Sequence, residues 1–167
     1  MSIRNKLFYT ALLLLILAIP ATASASEVVR FLTLIDGDSM LVEYQGRSQQ
    51  VRLIGIDAPE WGQEYGTRAK SHAMRFCYGK TLKIEFDKKK KDRYGRLLAY
   101  VYCGDEMLNE ELARAGLALV GKYKPNTKHH DRLIRAQKEA ERKNAGFWLH
   151  GGLKQTPAQW RKTHKKK

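Results

Sequence analysis

Residues 28–59 of the chain read VVRFLTLIDGDSMLVEYQGRSQQVRLIGIDAP. Apolar and polar residues are interspersed over residues 28–35 and again over 39–44, on either side of the turn-forming pair Asp36-Gly37. This pattern predicts two neighbouring strands. Gln45-Gly46 closes a hairpin, and residues 51–56 form a third strand that stops at Pro59, because proline gives a sheet no backbone donor.

A helical period follows this stretch. From Glu64 onward, apolar side chains at positions 69, 73, 76 and 77 share one helical face, and Gly79 ends the helix. Alternation over residues 82–86 predicts a fourth strand, and residues 96–103 supply a fifth. The charged run DKKKKD at 87–92 separates them, and we expect it to be a solvated loop. Residues 109–115 and 127–144 predict two more helices, which end at Gly116 and Gly146.

Five short strands with a helix after the third predict an α+β, mainly β fold. The architecture expected is a five-stranded OB-type Greek-key barrel with three helices. The 167 residues are 43% hydrophobic and 10% aromatic, which suits a single domain with a buried core and excludes disorder of the whole chain. Cys77 and Cys103 are the two cysteines, too few for a disulfide-built scaffold or a four-thiolate zinc site.

Residues 1–25 have the composition of a secretory signal peptide. Arg4 and Lys6 precede an apolar run, which is followed by Pro20 and by small residues up to Ala25. We expect cleavage after Ala25 and a secreted or periplasmic protein, with an uncleaved N-terminal membrane anchor as the alternative. Export would place the two cysteines where thiols oxidise, so they could form a disulfide, but two buried free thiols fit the sequence as well.

The folded domain is expected over residues 26–150 and a basic C-terminal tail over 151–167. Lys and Arg number 31 against 17 Asp and Glu, a formal net charge of +14 that suits a polyanionic partner. Five of the last seven residues are Lys or Arg, so we expect disorder from Arg161 to Lys167 and weak contacts of this tail with anionic surfaces. No apolar stripe indicates a protein partner, and a monomer is expected.

Three segments concentrate the side chains that carry chemistry. They are Asp36-Gly37-Asp38 at a turn, RLIGIDAPE at residues 52–60 and DRYGR at residues 92–96. Strict alternation would put Arg52 and Asp57 on opposite faces of the third strand, unless the turn at its exit redirects Asp57. Each segment alone also fits an ordinary turn or a surface arginine.

Together and in this order, the three segments resemble the staphylococcal nuclease (thermonuclease) family over residues 29–148. The resemblance implies an OB barrel and calcium-dependent endonucleolytic cleavage of DNA and RNA, with 3′-phosphate products and single strands favoured. The alternative is a non-catalytic OB-fold protein that binds nucleic acid. Acidic side chains that face a phosphate argue against a pure binder, because they repel it.

The resemblance also implies the residues that hold calcium and activate water. Asp38 and Asp57 match the carboxylate ligands of Ca²⁺, and Ala58 stands where a backbone carbonyl is a further ligand. Such hard oxygen ligands suit calcium. Glu60 matches the carboxylate that deprotonates or orients the attacking water.

The remaining matches concern the substrate. Arg52 and Arg96 match two guanidinium groups that bind the scissile phosphate, whose transition state gains negative charge. Tyrosines that stack on bases, and the lysines beside one of them, are implied at Tyr94, Tyr123, Lys122 and Lys124. A second tyrosine of the family pattern is replaced here by Gly121, so we expect weaker binding on the base side.

Overall fold

Eight strands and four α-helices follow one another along residues 26–164, the part of the chain that this computed structural model describes. They are β1 (Glu27–Leu34), β2 (Ser39–Tyr44), β3 (Arg47–Leu53), β4 (Ile56–Asp57), α1 (Gly66–Cys77), β5 (Leu82–Lys91), β6 (Leu97–Cys103), β7 (Glu106–Met107), α2 (Leu108–Arg114), β8 (Leu119–Val120), α3 (His130–Arg142) and α4 (Pro157–Thr163), with a 3₁₀ helix at Gly146–His150. The predicted signal peptide lies outside the described residues. Within residues 26–164, no helix is long and apolar enough to cross a membrane.

Five of the strands close into a barrel. Strand β1 pairs antiparallel with β2 and β5, β2 pairs with β3, and β5 pairs with β6. Parallel pairing of β3 with β6 completes the circle, with Arg52 opposite Leu98. The predicted five-stranded OB-type barrel is therefore confirmed.

The hairpin of β2 and β3 has the turn that the sequence predicts. Gln45 and Gly46 both have positive φ, 52° and 71°, as a two-residue turn between twisted antiparallel strands requires. Beyond the hairpin, Val51 and Leu53 are buried while Arg52 between them faces the other side of β3. Arg52 thus leaves the core and becomes available to the site.

Helix α1 packs on the barrel through small residues. Its buried positions include Ala69, Ala73 and Cys77, as the helical period predicts. Cys77 forms a disulfide with Cys103 at the end of β6, with the two Cα atoms 5.0 Å apart. Of the two interpretations of these cysteines, a disulfide or two buried free thiols, the disulfide is the one observed.

The charged run after residue 86 is a strand and not the solvated loop that its composition predicts. Strand β5 continues to Lys91, which lies opposite Leu97 of β6. The amide of Asn126 exchanges two hydrogen bonds of 2.8 Å with the backbone of Lys89. The prediction was wrong because the lysine side chains stay exposed while the backbone beneath them is paired.

The C-terminal segment contains a fourth helix where three were predicted in all. Thr156 and Gln159 form a capping box: Gln159 N donates to Thr156 Oγ1 at 3.2 Å and Thr156 N donates to Gln159 Oε1 at 2.8 Å. Disorder from Arg161 onward is therefore wrong for residues 161–163, which complete α4. Residues 165–167 lie outside the described part.

Candidate active site

The three motifs of the sequence line one open cavity of about 560 Å³. Asp38 comes from the β1–β2 turn, Arg52 from β3, and Arg96 from the turn before β6. The lining residues are Asp36, Asp38, Ser39, Gln50, Arg52, Glu60, Tyr94, Arg96 and Arg161. The cavity therefore combines carboxylates with guanidinium groups.

The β1–β2 turn brings Asp38 against the body of the protein. The backbone N–H of Asp38 donates to Asp36 Oδ1 at 3.0 Å, which closes the turn locally. A Cβ on Gly37 would lie 2.8 Å from Cβ of Ala69 and 2.9 Å from Cβ of Ala58, so only glycine allows this close approach. Asp38 is buried, and its Oδ2 accepts a 2.6 Å hydrogen bond from the backbone N–H of Ala58.

A turn between β3 and β4 places Asp57 beside Arg52. Ile54 and Gly55 form this turn, and Gly55 has φ of 82°. As a result Arg52 Nη2 donates to Asp57 Oδ1 at 2.9 Å. The expected redirection of Asp57 is thus observed, but Gly55 produces it upstream of the exit before Pro59.

Arg52 also forms an ion pair with Asp38, so one guanidinium joins the two buried carboxylates. Burial raises the pKa of Asp38 to about 7, and the nearby charges of Asp36 and Asp57 add to the rise, while Arg52 opposes it. Buried carboxylates of this kind favour cations beside them.

Glu60 lies on the loop that leads into α1. Its backbone N–H donates to Gln63 Oε1 at 3.1 Å. A Cβ on Gly66 would lie 2.1 Å from the carbonyl oxygen of Glu60, so the first residue of α1 packs directly on this loop. These contacts hold Glu60 at the wall of the cavity.

Asp92 positions Arg96. Its carboxylate accepts from Arg96 Nε at 2.7 Å, from the backbone N–H of Arg96 at 3.0 Å and from that of Tyr94 at 2.9 Å. Burial by itself would raise the pKa of Asp92, but these hydrogen bonds lower it, so the carboxylate stays charged.

Three of the four predicted substrate side chains line this cavity or a second one of about 250 Å³. Tyr94 is 68% exposed at the edge of the first cavity. Tyr123 and Lys124 line the second, which shares Arg52 and Arg96 with the first. Lys122 is exposed and lines neither cavity.

Gly121, the departure from the family pattern, lies beneath Tyr123. A Cβ on Gly121 would come within 2.5–2.7 Å of the ring and hydroxyl of Tyr123. The tyrosine side chain occupies the space that a side chain at residue 121 would need. One aromatic ring therefore stands on this segment where the pattern has two.

Arg161 is a site residue that the sequence interpretation missed. Its Nη1 donates to Asp57 Oδ1 at 3.0 Å and its Nη2 to Asp57 Oδ2 at 3.0 Å, while Nη1 also donates to Glu60 Oε1 at 2.5 Å. The capping box at Thr156 and Gln159 is a sequence signal for helix α4. Nothing in the sequence indicates that Arg161 reaches residues about a hundred positions away.

Comparisons with known proteins show which family the chain resembles. The family model described as Staphylococcal nuclease homologue matches residues 50–150. The chain is 40% identical to a thermonuclease of Staphylococcus hyicus over 128 residues, 73% of this chain and 76% of the relative. It is 41% identical to a thermonuclease of Staphylococcus intermedius over 120 residues, 68% of this chain and 71% of the relative.

A relative of greater extent is described as an uncharacterized endonuclease of Haemophilus influenzae. It is 33% identical over 164 residues, which are 98% of this chain and 89% of that protein. These relatives identify the chain as a nuclease that acts on nucleic acid, in preference to a non-catalytic binding module. These matches show that the chain belongs to the staphylococcal nuclease family, and the barrel with its cavity of acids and arginines is consistent with this.

Proposed function

We propose that this nuclease is a calcium-dependent endonuclease that hydrolyses DNA and RNA to 3′-phosphate products, with single strands favoured. The observation that carries the proposal is the shared cavity, in which Arg52 and Arg96 lie beside the carboxylates of Asp38 and Glu60. The two guanidinium groups bind the phosphate in this proposal. The carboxylates bind the metal ion and position the attacking water.

The donor set fits calcium. Asp38 and Asp57 are buried carboxylates joined through one guanidinium, and Asp57 already accepts from a second, so the site holds positive charge. Among residues 26–164 no three His, Cys, Asp or Glu side chains form a metal cluster. The proposed set needs two carboxylates, the carbonyl of Ala58 and water, as calcium accepts. Bound calcium would supply positive charge next to the phosphate and the attacking water.

Arg52 and Arg96 bind the scissile phosphate in this proposal. A guanidinium donates two parallel hydrogen bonds to phosphate oxygens, and these strengthen as negative charge accumulates in the transition state. Asp92 fixes Arg96 through Nε. Asp57 likewise fixes Arg52 through Nη2. Both arginines are thus oriented before substrate arrives, which lowers the reorganisation needed during the reaction.

Glu60 accepts a proton from the attacking water or orients it. The geometry supports this role because Glu60 lines the same cavity as both arginines. Tyr94 and Tyr123 are exposed aromatic residues on which unpaired bases can stack, which favours single strands. Lys122 and Lys124 add positive charge beside Tyr123 for the phosphate backbone.

The first experiment is digestion of denatured DNA by the purified protein, with calcium and with chelator. We expect calcium-dependent cutting, products with 3′-phosphate ends, and large losses in Glu60→Gln and Arg96→Ala. Arg142→Ala is the matched control, because Arg142 is exposed at the end of α3 and lines neither cavity. Cutting that needs no added metal would reject the calcium proposal. Binding without cutting would favour the non-catalytic module.

We also propose that the protein is exported and that its signal peptide is cleaved after Ala25. The mature protein is proposed to be a monomer. The disulfide between Cys77 and Cys103 supports an oxidising compartment. Mass spectrometry of the protein from the medium or periplasm should give Ser26 as the first residue. An intact first segment in the membrane fraction would support the anchored alternative.

A further inference from the structure

A cation from the chain itself covers the carboxylates of the site. Arg161 binds both oxygens of Asp57 and one oxygen of Glu60. Asp57 is 6% exposed, so its oxygens have little other access to solvent. Residue 161 lies beyond the stretch that the family model matches, which ends at residue 150.

Helix α4, which carries Arg161, has few other attachments to the domain. Pro157 is its one buried residue. Gln63 Nε2 donates to the carbonyl of Gln155 at 2.7 Å just before the helix, and Trp160 stacks on His164 of the same segment at 3.7 Å between ring centroids. Besides Pro157, the half-buried Trp160 near Gly62 contributes apolar contact, and the ion pairs of Arg161 add a polar attachment that holds the helix over the carboxylates.

Calcium and Arg161 would compete for the same oxygens. Asp57 is a proposed calcium ligand, and both of its oxygens accept from Arg161. A divalent ion beside a guanidinium is repelled at this range, and the burial of the site strengthens the repulsion. While Glu60 Oε1 binds Arg161 as in this structure, that oxygen is not available to orient or deprotonate water.

We propose that Arg161 is a tethered competitor of calcium: it occupies Asp57 and Glu60 in the metal-free enzyme, and calcium binding displaces it together with α4. The inference rests on the proposed calcium site. The ion then has two effects, since it fills the site and also frees Glu60. Activity would thereby be restricted to places where calcium is abundant enough to win the competition.

Calcium titration of the full protein without substrate, by calorimetry at constant ionic strength, tests the competition. Arg161→Gln should lower the calcium dissociation constant about tenfold, because binding no longer has to break the ion pairs. Lys162→Gln is the matched control: it removes one charge from the same helix at an exposed position and should leave the dissociation constant unchanged. Arg161→Lys should have a calcium dissociation constant between those of the wild type and Arg161→Gln, since an ammonium group cannot form the bidentate hydrogen bonds of a guanidinium.

Hydrogen exchange of the amides of residues 158–163 gives a second measurement that needs no activity. In the wild type we expect faster exchange of these amides at saturating calcium than with chelator. In Arg161→Gln we expect fast exchange in both conditions. Equal calcium affinity of Arg161→Gln and Lys162→Gln, or unchanged exchange in α4 at saturating calcium, would overturn the inference and leave the proposed function standing. Absence of calcium binding in every variant would overturn both.

Discussion

Arg52 donates to Asp57 at 2.9 Å although strand alternation would place the two side chains on opposite faces. A turn at Gly55 lies between them and breaks the alternation, and its φ of 82° is a conformation that favours glycine. The pair joins a guanidinium that is proposed to bind the scissile phosphate to a carboxylate of the proposed calcium site. The hydrogen bonds and ion pairs among these side chains determine how substitutions should affect the site.

Asp92→Ala should lower the cleavage rate about tenfold at saturating calcium, whereas Arg96→Ala should lower it by about two to three powers of ten. Asp92 orients Arg96 through Nε but lies behind it, so its loss frees the guanidinium without removing it. Initial rates on denatured DNA measure both effects. The calcium titration should not move in either variant, and a rate for Asp92→Ala equal to the wild type would contradict the positioning role.

Asp38→Ala should raise the calcium concentration needed for half-maximal cleavage by about tenfold or more, because one of two carboxylate ligands is lost. The substitution also removes the acceptor of the backbone N–H of Ala58, which donates to Asp38 in the wild type. Ser48→Ala is a control at an exposed position of β3. The readout is the calcium dependence of the rate, and a titration like that of the control would reject Asp38 as a ligand.

Glu85→Gln should destabilise the protein near neutral pH by about 1–3 kcal/mol. The carboxylate of Glu85 accepts from the Tyr102 hydroxyl at 2.8 Å, lies 2.9 Å from His129 Nε2, and forms an ion pair with Lys128. Burial by itself would raise the pKa of Glu85, but the hydrogen bonds from Lys128, His129 and Tyr102 lower it below its ordinary value of 4.5.

A carboxyl group whose pKa is lower in the folded state stabilises the fold above its unfolded pKa. That stability is lost as the pH falls through the folded pKa. The difference in the free energy of unfolding between wild type and Glu85→Gln should therefore shrink as the pH falls from 7 to about 3. Urea unfolding at each pH measures it. A difference that is constant over this range would show that the charge of Glu85 is not involved.

Replacing both Cys77 and Cys103 by alanine should lower the free energy of unfolding by about 3 kcal/mol. The disulfide closes a loop across a sequence separation of 26, and its removal enlarges the entropy of the unfolded chain. Urea unfolding of the variant, and of the wild type with reductant, measures the loss. Equal stability of the reduced and oxidised wild type would contradict this contribution.

Much of the fold could be predicted from residues 28–103 because the relevant signals are local. The period-two alternation at Leu82, the turn at Gln45-Gly46 and the helical face at Ala69 each depend on neighbours within a few residues. Composition gave the wrong prediction of a loop at Lys88–Lys91, because exposed lysine side chains do not show whether the backbone beneath them is paired. Asn126 supplies that pairing from 37 residues away in sequence.

The candidate site likewise has some features that the sequence determines and others that depend on the tertiary structure. By itself the sequence determined the barrel and the three motifs with their acids and arginines, since residue type and spacing carry that information. Only the tertiary structure decided that Gly55 turns Asp57 toward Arg52 and that Cys77 meets Cys103. It alone placed Arg161 on Asp57, because a contact between residues 104 positions apart depends on how α4 packs and leaves no periodic trace in the sequence.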